Sequence, residues 1–185
     1  MGSFCLYLNK EERMIVTIET ERLIIRPVVP DDAEAIFRWA SDPEVTKYMI
    51  YSPHPNVQST RAWLESLDHA NEDSYDLGFE SKETGELIGM GGIVYHKEED
   101  VWMIGYNLRR DWWGKGIVPE AMRGIIDYVR ERRPIRVLQG QFAVENNKSR
   151  RVMEKLGMQF YKDGEYTKMD GSATFKSQIY RREFS

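Results

Sequence analysis

The stretch from Ile15 to Val29 is rich in β-branched residues, and Ile18, Thr20, Arg22, Ile24 and Arg26 recur at period two, which predicts a strand. Pro30-Asp31-Asp32 then stops it and caps a helix, whose apolar face is Ala33, Ile36, Phe37 and Ala40. Pro43, Pro53 and Pro55 punctuate a short helical piece and a loop. Asn56 or Ser59 starts a further helix carrying Ala62, Trp63 and Leu67. Two strands follow across a Thr84-Gly85 turn, at 75–80 and 87–96, and a third covers 101–108. Gly89, Gly91 and Gly92 in the second of these predict a bulge or a close backbone approach. After Gly114-Lys115-Gly116 comes a long helix with Ile117, Ala121, Ile125 and Tyr128/Val129 on one face, ended by Pro134. A strand at 135–144, a helix at 146–156 closed by Gly157, and strands at 158–165 and 173–182 finish the chain. The unit 101–144 therefore carries a right-handed crossover between parallel strands, while the preceding meander makes the sheet mixed. Too few helices separate the strands for a doubly wound fold.

Composition narrows the function classes. With 185 residues, 41% of them hydrophobic and 30% charged, the chain reads as one ordinary globular domain, at 15–185, behind a tail at 1–14. A formal charge of −4 argues against nucleic acid, whose phosphates require a basic face. It is compatible with a cationic substrate. No apolar run approaches a membrane span. The one cysteine, Cys5, excludes an intrachain disulfide framework and points to a reducing, cytoplasmic compartment. The three histidines are scattered and no CxxC pair exists, so no metal site is expected.

Two segments carry candidate chemistry. Arg109 to Gly116, RRDWWGKG, joins a strand to a helix. Its glycines let backbone approach a ligand closely, and the free N–H groups of the following first turn favour an anion. The glycine spacing fits neither a P-loop nor a dinucleotide fingerprint, the latter because Pro119 stands where a third glycine belongs. The second segment, NNKSRRVMEKLGM from Asn146 to Met158, opens just after a strand. Read as structure, Asn146 is a cap and Val152, Met153 and Leu156 are core. Read as function, Asn146 and Ser149 sit where they meet a ligand running past the strand end.

Together these segments resemble the GNAT superfamily of acetyl-CoA-dependent N-acetyltransferases, and within it the ribosomal-protein-alanine and -serine N-terminal acetyltransferases. TERLIIRPVVPDDAEAIFRWASDPEVTKYM resembles the family's opening strand and helices, IGYNLRRDWWGKGIVPEA its pyrophosphate loop, and NNKSRRVMEKLGM its Asn-x-x-Ser helix. The resemblance implies an α+β fold with a mixed, mostly antiparallel six- to seven-stranded sheet flanked by helices. It implies acetyl-CoA as donor, no metal, and an amine acceptor, either a protein N-terminus or a small molecule, on a monomer or homodimer. The cofactor-binding positions it implies are Leu108, Arg109, Trp113, Gly114, Lys115, Gly116, Ile117, Val118, Asn146 and Ser149. The backbone N–H near Leu108 would polarise the thioester carbonyl, Ser149 would protonate the departing thiolate, and the amine would attack directly. Cys5 is a poor nucleophile candidate.

The departures bear on substrate. Asp111 stands where many relatives have Arg or Gln, and an acidic side chain beside a pyrophosphate has to point away, with Arg109, Arg110 or Lys115 compensating. Gln141 and Met153 occupy positions that hold a Glu base and a Tyr acid in some N-terminal acetyltransferases. Glu80, on a strand bordering the family's substrate cleft, is a speculative base; an exposed strand carboxylate is the plainer reading. Tyr106 is placed equally by acyl contact and by core packing; Trp112 and Trp113 could shape the acceptor tunnel, but aromatics beside a sheet edge more often serve as core or partial cover. A lysine amine is about 0.04% neutral at pH 7, whereas an α-amine is roughly 10–15% neutral. An enzyme without an assigned base therefore suits an α-amine or another weakly basic one. The rivals are a catalytically weak CoA-binding sensor and a nucleotide-binding regulatory domain.

Overall fold

The computed structural model describes residues 16–185. The tail expected at 1–14, with Cys5, and the first residue expected in the opening strand, Ile15, lie outside the described residues. Eight strands form one sheet in the order β1-β2-β3-β4-β5-β6-β8-β7. Their ranges are β1 Ile18–Glu19, β2 Leu23–Pro27, β3 Ser74–Ser81, β4 Leu87–His96, β5 Val101–Leu108, β6 Val137–Ala143, β7 Gln159–Thr167 and β8 Thr174–Glu183. The helices are α1 Ala33–Ala40, α2 Pro43–Thr46, α3 Val57–Glu65, α4 Ile117–Arg130 and α5 Asn147–Lys155.

The expected count of six to seven strands is corrected to eight because the opening strand doubles back. Thr20 N donates to Leu23 O at 3.0 Å, and Leu23 N donates to Thr20 Oγ1 at 3.1 Å. That turn folds β1 onto β2 with Ile18 opposite Ile25. The period-two pattern runs through the turn unbroken, so it does not mark the reversal.

Apolar stripes decide the layers. α4 buries Ile117, Val118, Ala121, Met122, Ile125 and Ile126 in a core shared with α5 and one sheet face. α1 and α3 bury Ile36, Trp39 and Leu64 against Val28, Leu87 and Met90 on the other face. At Gly91 α4 packs directly onto the sheet. A Cβ there would lie 2.6 Å from Met122 Sδ and 2.7 Å from Phe79 Cζ. The predicted bulge is present one step away: Phe79 pairs with Gly89 but Glu80 pairs with Leu87, leaving Ile88 extra on β4.

The feature that positions the site is a gap. β5 and β6 are the parallel pair of the crossover, registered at Trp102 with Leu138 and Met103 with Gln139. Beyond Met103 the two strands part. β6 pairs on its other edge with β8 as far as Ala143 opposite Ser177.

Candidate active site

A cleft of about 540 Å³ lies at the gap and is lined from both sides of the sheet. One side is lined by Gly116 to Pro119 at the start of α4 and Asn146 to Ser149 at the start of α5. The other is lined by α2 and the turn after it, from Glu44 to Met49. The end of β5, Tyr106 to Leu108, lies between them.

The ladder hydrogen bonds fix which amides face the cleft. Arg109 N donates to Ile88 O at 2.8 Å, toward β4. Amides alternate along an antiparallel edge, so those of Tyr106 and Leu108 turn the opposite way, into the gap. The Leu108 carbonyl accepts from Trp113 Nε1 at 2.8 Å, which fixes the chain's exit from β5.

The glycine-bearing loop supplies a second set of amides. Gly114 and Gly116 have φ of +77° and +76°, a left-handed conformation that side chains disfavour. Through this reversal the backbone leads straight into α4, whose first-turn N–H groups lack intrahelical partners. α5 contributes the third set. Asn146 Oδ1 accepts from Ser149 N at 3.2 Å, and Asn146 Nδ2 donates to Ser149 Oγ at 3.0 Å. The Ser149 oxygen is thus an acceptor toward Asn146, and its own proton is free to point elsewhere. Lys148 Nζ lies 3.5 Å from the centroid of the Trp113 ring, joining α5 to the loop. With Arg151 and Lys155 it gives this mouth a cationic rim.

Two phenols lie near the end of β5: Tyr106, on the strand, lines the cleft, and Tyr51, in the loop after α2, reaches Asn107. Tyr106 Oη donates to Ser149 O at 3.2 Å, and burial pushes its pKa above the ordinary tyrosine value. Tyr51 is pushed up to about 12, by burial first, with the hydrogen bond from Asn107 opposing. Asn107 Nδ2 donates to Tyr51 Oη at 3.1 Å. Both phenols therefore remain protonated at neutral pH.

Of the residues singled out by sequence, Leu108, Trp113, Gly114, Gly116, Ile117, Val118, Asn146 and Ser149 all line the cleft. Three others do not. Glu80 accepts from Arg26 Nε at 3.0 Å, and the same guanidinium makes a forked pair with Asp32. That network ties β2, β3 and the turn before α1 together, and Glu80 is absent from the cleft wall. Arg109 is held by Asp111 at 2.8 Å and by Glu86 at 3.1 Å, away from the cleft. Asp111 is accordingly turned onto Arg109. Lys115 sits within the loop, but its ammonium lies 4.7 Å from the Trp112 ring centroid and borders a separate groove. Gln141 Nε2 donates to Ser177 Oγ at 2.7 Å, and Met153 is buried core.

Sequence reasoning did not find Tyr51 or Asn107. Asn107 precedes Leu108 on a half-buried strand, which was the one available signal. Tyr51 lies in a proline-punctuated loop and reaches the strand only through the fold. Among the described residues, no His, Cys, Asp or Glu cluster is arranged to hold a metal ion, and no helix is long and apolar enough to cross a membrane.

The family profile described as "Acetyltransferase (GNAT) domain" matches residues 22–159. The chain is 31% identical to the "Uncharacterized N-acetyltransferase p20" of Bacillus licheniformis, over 91% of this chain and 98% of that one. It is 24% identical to the "[Ribosomal protein uS5]-alanine N-acetyltransferase" of Escherichia coli, over 84% and 85% of the two chains. Among solved structures, the RimL ribosomal L7/L12 α-N-protein acetyltransferase in complex with coenzyme A superposes with a TM-score of 0.78 at 15% identity, over 91% and 98% of the chains.

Proposed function

The chain belongs to the GNAT acetyltransferase family, and from that premise we propose that it transfers the acetyl group of acetyl-CoA to the α-amine of a polypeptide, or to a comparably weakly basic amine. The observation that carries this reading is the convergence of three donor sets on one gap: the Leu108 amide, the amides following Gly114 and Gly116, and the Asn146–Ser149 cap. A thioester whose acyl carbon lies in the gap, with its diphosphate at the loop, meets all three.

In this reading the loop and the first turn of α4 bind the diphosphate, because oriented N–H groups and the helix dipole favour an anion. The Lys148, Arg151 and Lys155 rim adds charge. Asn146 holds the pantetheine arm. The Leu108 N–H stabilises the charge that grows on the carbonyl oxygen as the amine attacks. The N–C bond forms, the C–S bond breaks, the Ser149 proton goes to the departing sulfur, and solvent returns a proton to the Ser149 oxygen. The nitrogen's surplus proton leaves to water. A weakly basic acceptor arrives largely able to do this without a strong base, and Glu80, bound to Arg26, is given no such role. The relative named for alanine acetylation of ribosomal protein uS5 and the neighbour named for L7/L12 α-N-acetylation support a polypeptide α-amine as the acceptor.

Release of free thiol from acetyl-CoA tests the reading, with an N-terminal peptide and an Nα-blocked lysine peptide as alternative acceptors. Turnover of the first at neutral pH, well above the second, is expected. Preference for the blocked lysine peptide contradicts the acceptor class. Acetyl-CoA binding without turnover on any amine supports a sensor instead.

A further inference from the structure

With the donor placed at the starts of α4 and α5, the opposite sheet face is left for the acceptor, and one row of positions on it lacks intervening side chains. Register places Asp76 opposite Gly92, and Gly92 opposite Gly105. Directly opposed residues share a face, so the row runs from β3 across β4 to β5 and ends at the gap. A Cβ on Gly105 would meet nothing within 4 Å. One on Gly92 would lie 3.3 Å from Asp76 Oδ1, so the carboxylate leans over Gly92 toward the gap. The neighbouring rows form walls: Val94 and Met103 on one side, Met90 and Asn107 on the other. The lane is thus walled by Val94, Met103 and Met90, with the Asn107 amide beside the gap, and is anionic at its far end.

Asp76 is not used by the fold in the way other half-buried carboxylates here are. Glu80 and Asp32 are tied to Arg26, and Asp73 to Arg133. Asp76 makes no ion pair among the described residues, and its side-chain hydrogen bond is from Ser74 Oγ at 3.5 Å. Burial pushes its carboxyl above the ordinary value, with His69 and Ser74 opposing. His69 is itself engaged with the Val28 carbonyl at 2.9 Å. The larger cations on this face are held elsewhere, Arg181 by Gln139 and Lys168 by the carbonyls of Thr46 and Tyr51. The cleft therefore has a cationic rim at the starts of α4 and α5, and the opposite sheet face carries, two strands away from the gap and outside the cleft wall, a carboxylate that makes no ion pair among the described residues.

We propose that Asp76 determines acceptor specificity: it takes a second cationic group, a guanidinium or ammonium, on an acceptor whose reacting α-amine lies at the gap. The tether between the two spans one to two strand spacings, about 5–10 Å, and lies along the lane against Val94, Met103 and Met90. This inference rests on the acetyl-transfer reading above.

The test compares glycyl-arginine amide with glycyl-citrulline amide, which differ in charge but little in shape. With saturating acetyl-CoA, the wild-type protein is expected to favour the arginine compound about tenfold in kcat/KM, the scale of one charge-assisted hydrogen bond. In Asp76→Asn the ratio should fall to within about twofold of unity, through the KM of the arginine compound. Asp76→Glu should restore most of it, which a merely structural role would not do. Equal ratios in wild type and Asp76→Asn, or no preference in wild type, overturn the proposal. Calorimetry with acetyl-CoA separates this from failure of the underlying reading: bound donor with no acetylation of either compound removes acetyl transfer, and the role of Asp76 with it.

Discussion

In the proposed reading the donor mouth of the cleft is made from two contiguous segments, 113–118 and 146–149, while the opposite mouth, left to the acceptor, is bordered by the segment after α2, whose residues 46–52 dock on the tip of the β7–β8 hairpin more than a hundred positions later. Across the second mouth, Tyr166 Oη donates to Tyr48 O at 2.7 Å, Met169 N to Ile50 O at 2.8 Å, and Lys168 Nζ to Thr46 O and Tyr51 O at 2.8 and 3.0 Å. Ser52 Oγ adds a bond to Asp170. The difference is one of physical means. A diphosphate is caught by consecutive backbone amides, which a single turn and helix start can orient. An acceptor of variable shape has to be met by side chains, and those are assembled by docking one loop on another. Damage to either mouth should therefore leave the other's ligand largely unaffected.

Gly116→Asp is expected to have the largest effect. A side chain there is strained at φ +76° and places negative charge beside the amides that receive the diphosphate. Acetyl-CoA affinity should fall by at least about a hundredfold, some 2.7 kcal/mol, measured by calorimetry. Affinity within threefold of wild type would remove the loop from the donor site. Strain of about 1–2 kcal/mol should also appear in the unfolding free energy.

Lys168→Met strikes the other mouth. The ammonium is buried, and burial lowers its pKa while nearby Asp170 opposes the fall. Methionine keeps the apolar stem but takes the ammonium donor from the Tyr51 carbonyl and leaves Thr46 O with Met49 N alone. A loss of about 1–3 kcal/mol in denaturant unfolding is expected. Because Tyr51 sits on the freed segment, acceptor KM should rise several-fold while the acetyl-CoA dissociation constant stays put. A change confined to acetyl-CoA binding would break the separation of the two mouths.

Asn146→Ala is milder and returns to the donor side. It removes the cap on α5 and the partner of the Ser149 hydroxyl. About 1 kcal/mol of stability should go, seen as a lower Tm. Acetyl-CoA should bind more weakly, and serine at 146 should recover the Tm better than the affinity, since it caps without reaching as far.

The same contrast explains what could be read from the chain. The glycine loop, the α4 stripe and the Asn146 cap are legible because each is written within a few consecutive residues. The reversal at Thr20–Leu23 escaped because a hydroxyl-stabilised turn leaves the period-two pattern intact. Tyr51 and Asn107 stand 56 positions apart, and Lys168 meets Thr46 across 122, so no local signal joins them. Glu80 and Arg109 show the converse case. Each has the right charge for the role assigned to it, but the fold brings Arg26 to one and Asp111 with Glu86 to the other, and those partners decide where they point.

The smallest expected effect probes a tie between the donor mouth and the start of the chain's sheet. Glu120, in the first turn of α4, accepts from Thr20 Oγ1 at 2.6 Å, from Arg22 N at 2.9 Å and from Arg22 Nε at 2.7 Å. The same Arg22 reaches the Lys115 carbonyl in the glycine loop at 2.8 Å, so the β1–β2 turn braces the loop. Burial alone would raise the Glu120 pKa, but these bonds more than offset it and hold the carboxyl below its ordinary value. A depressed carboxyl contributes stability above its unfolded pKa, near 4.3, and loses it as pH falls through the folded value. Glu120→Gln should therefore cost about 0.2–1 kcal/mol at pH 7, given that Arg22 is largely exposed. The deficit should shrink below about pH 4, where wild type loses the same charge. Acetyl-CoA affinity should weaken no more than about threefold. A deficit that persists unchanged at pH 3 would mean that the shape of the bonded network, rather than the ionised carboxylate, braces the loop.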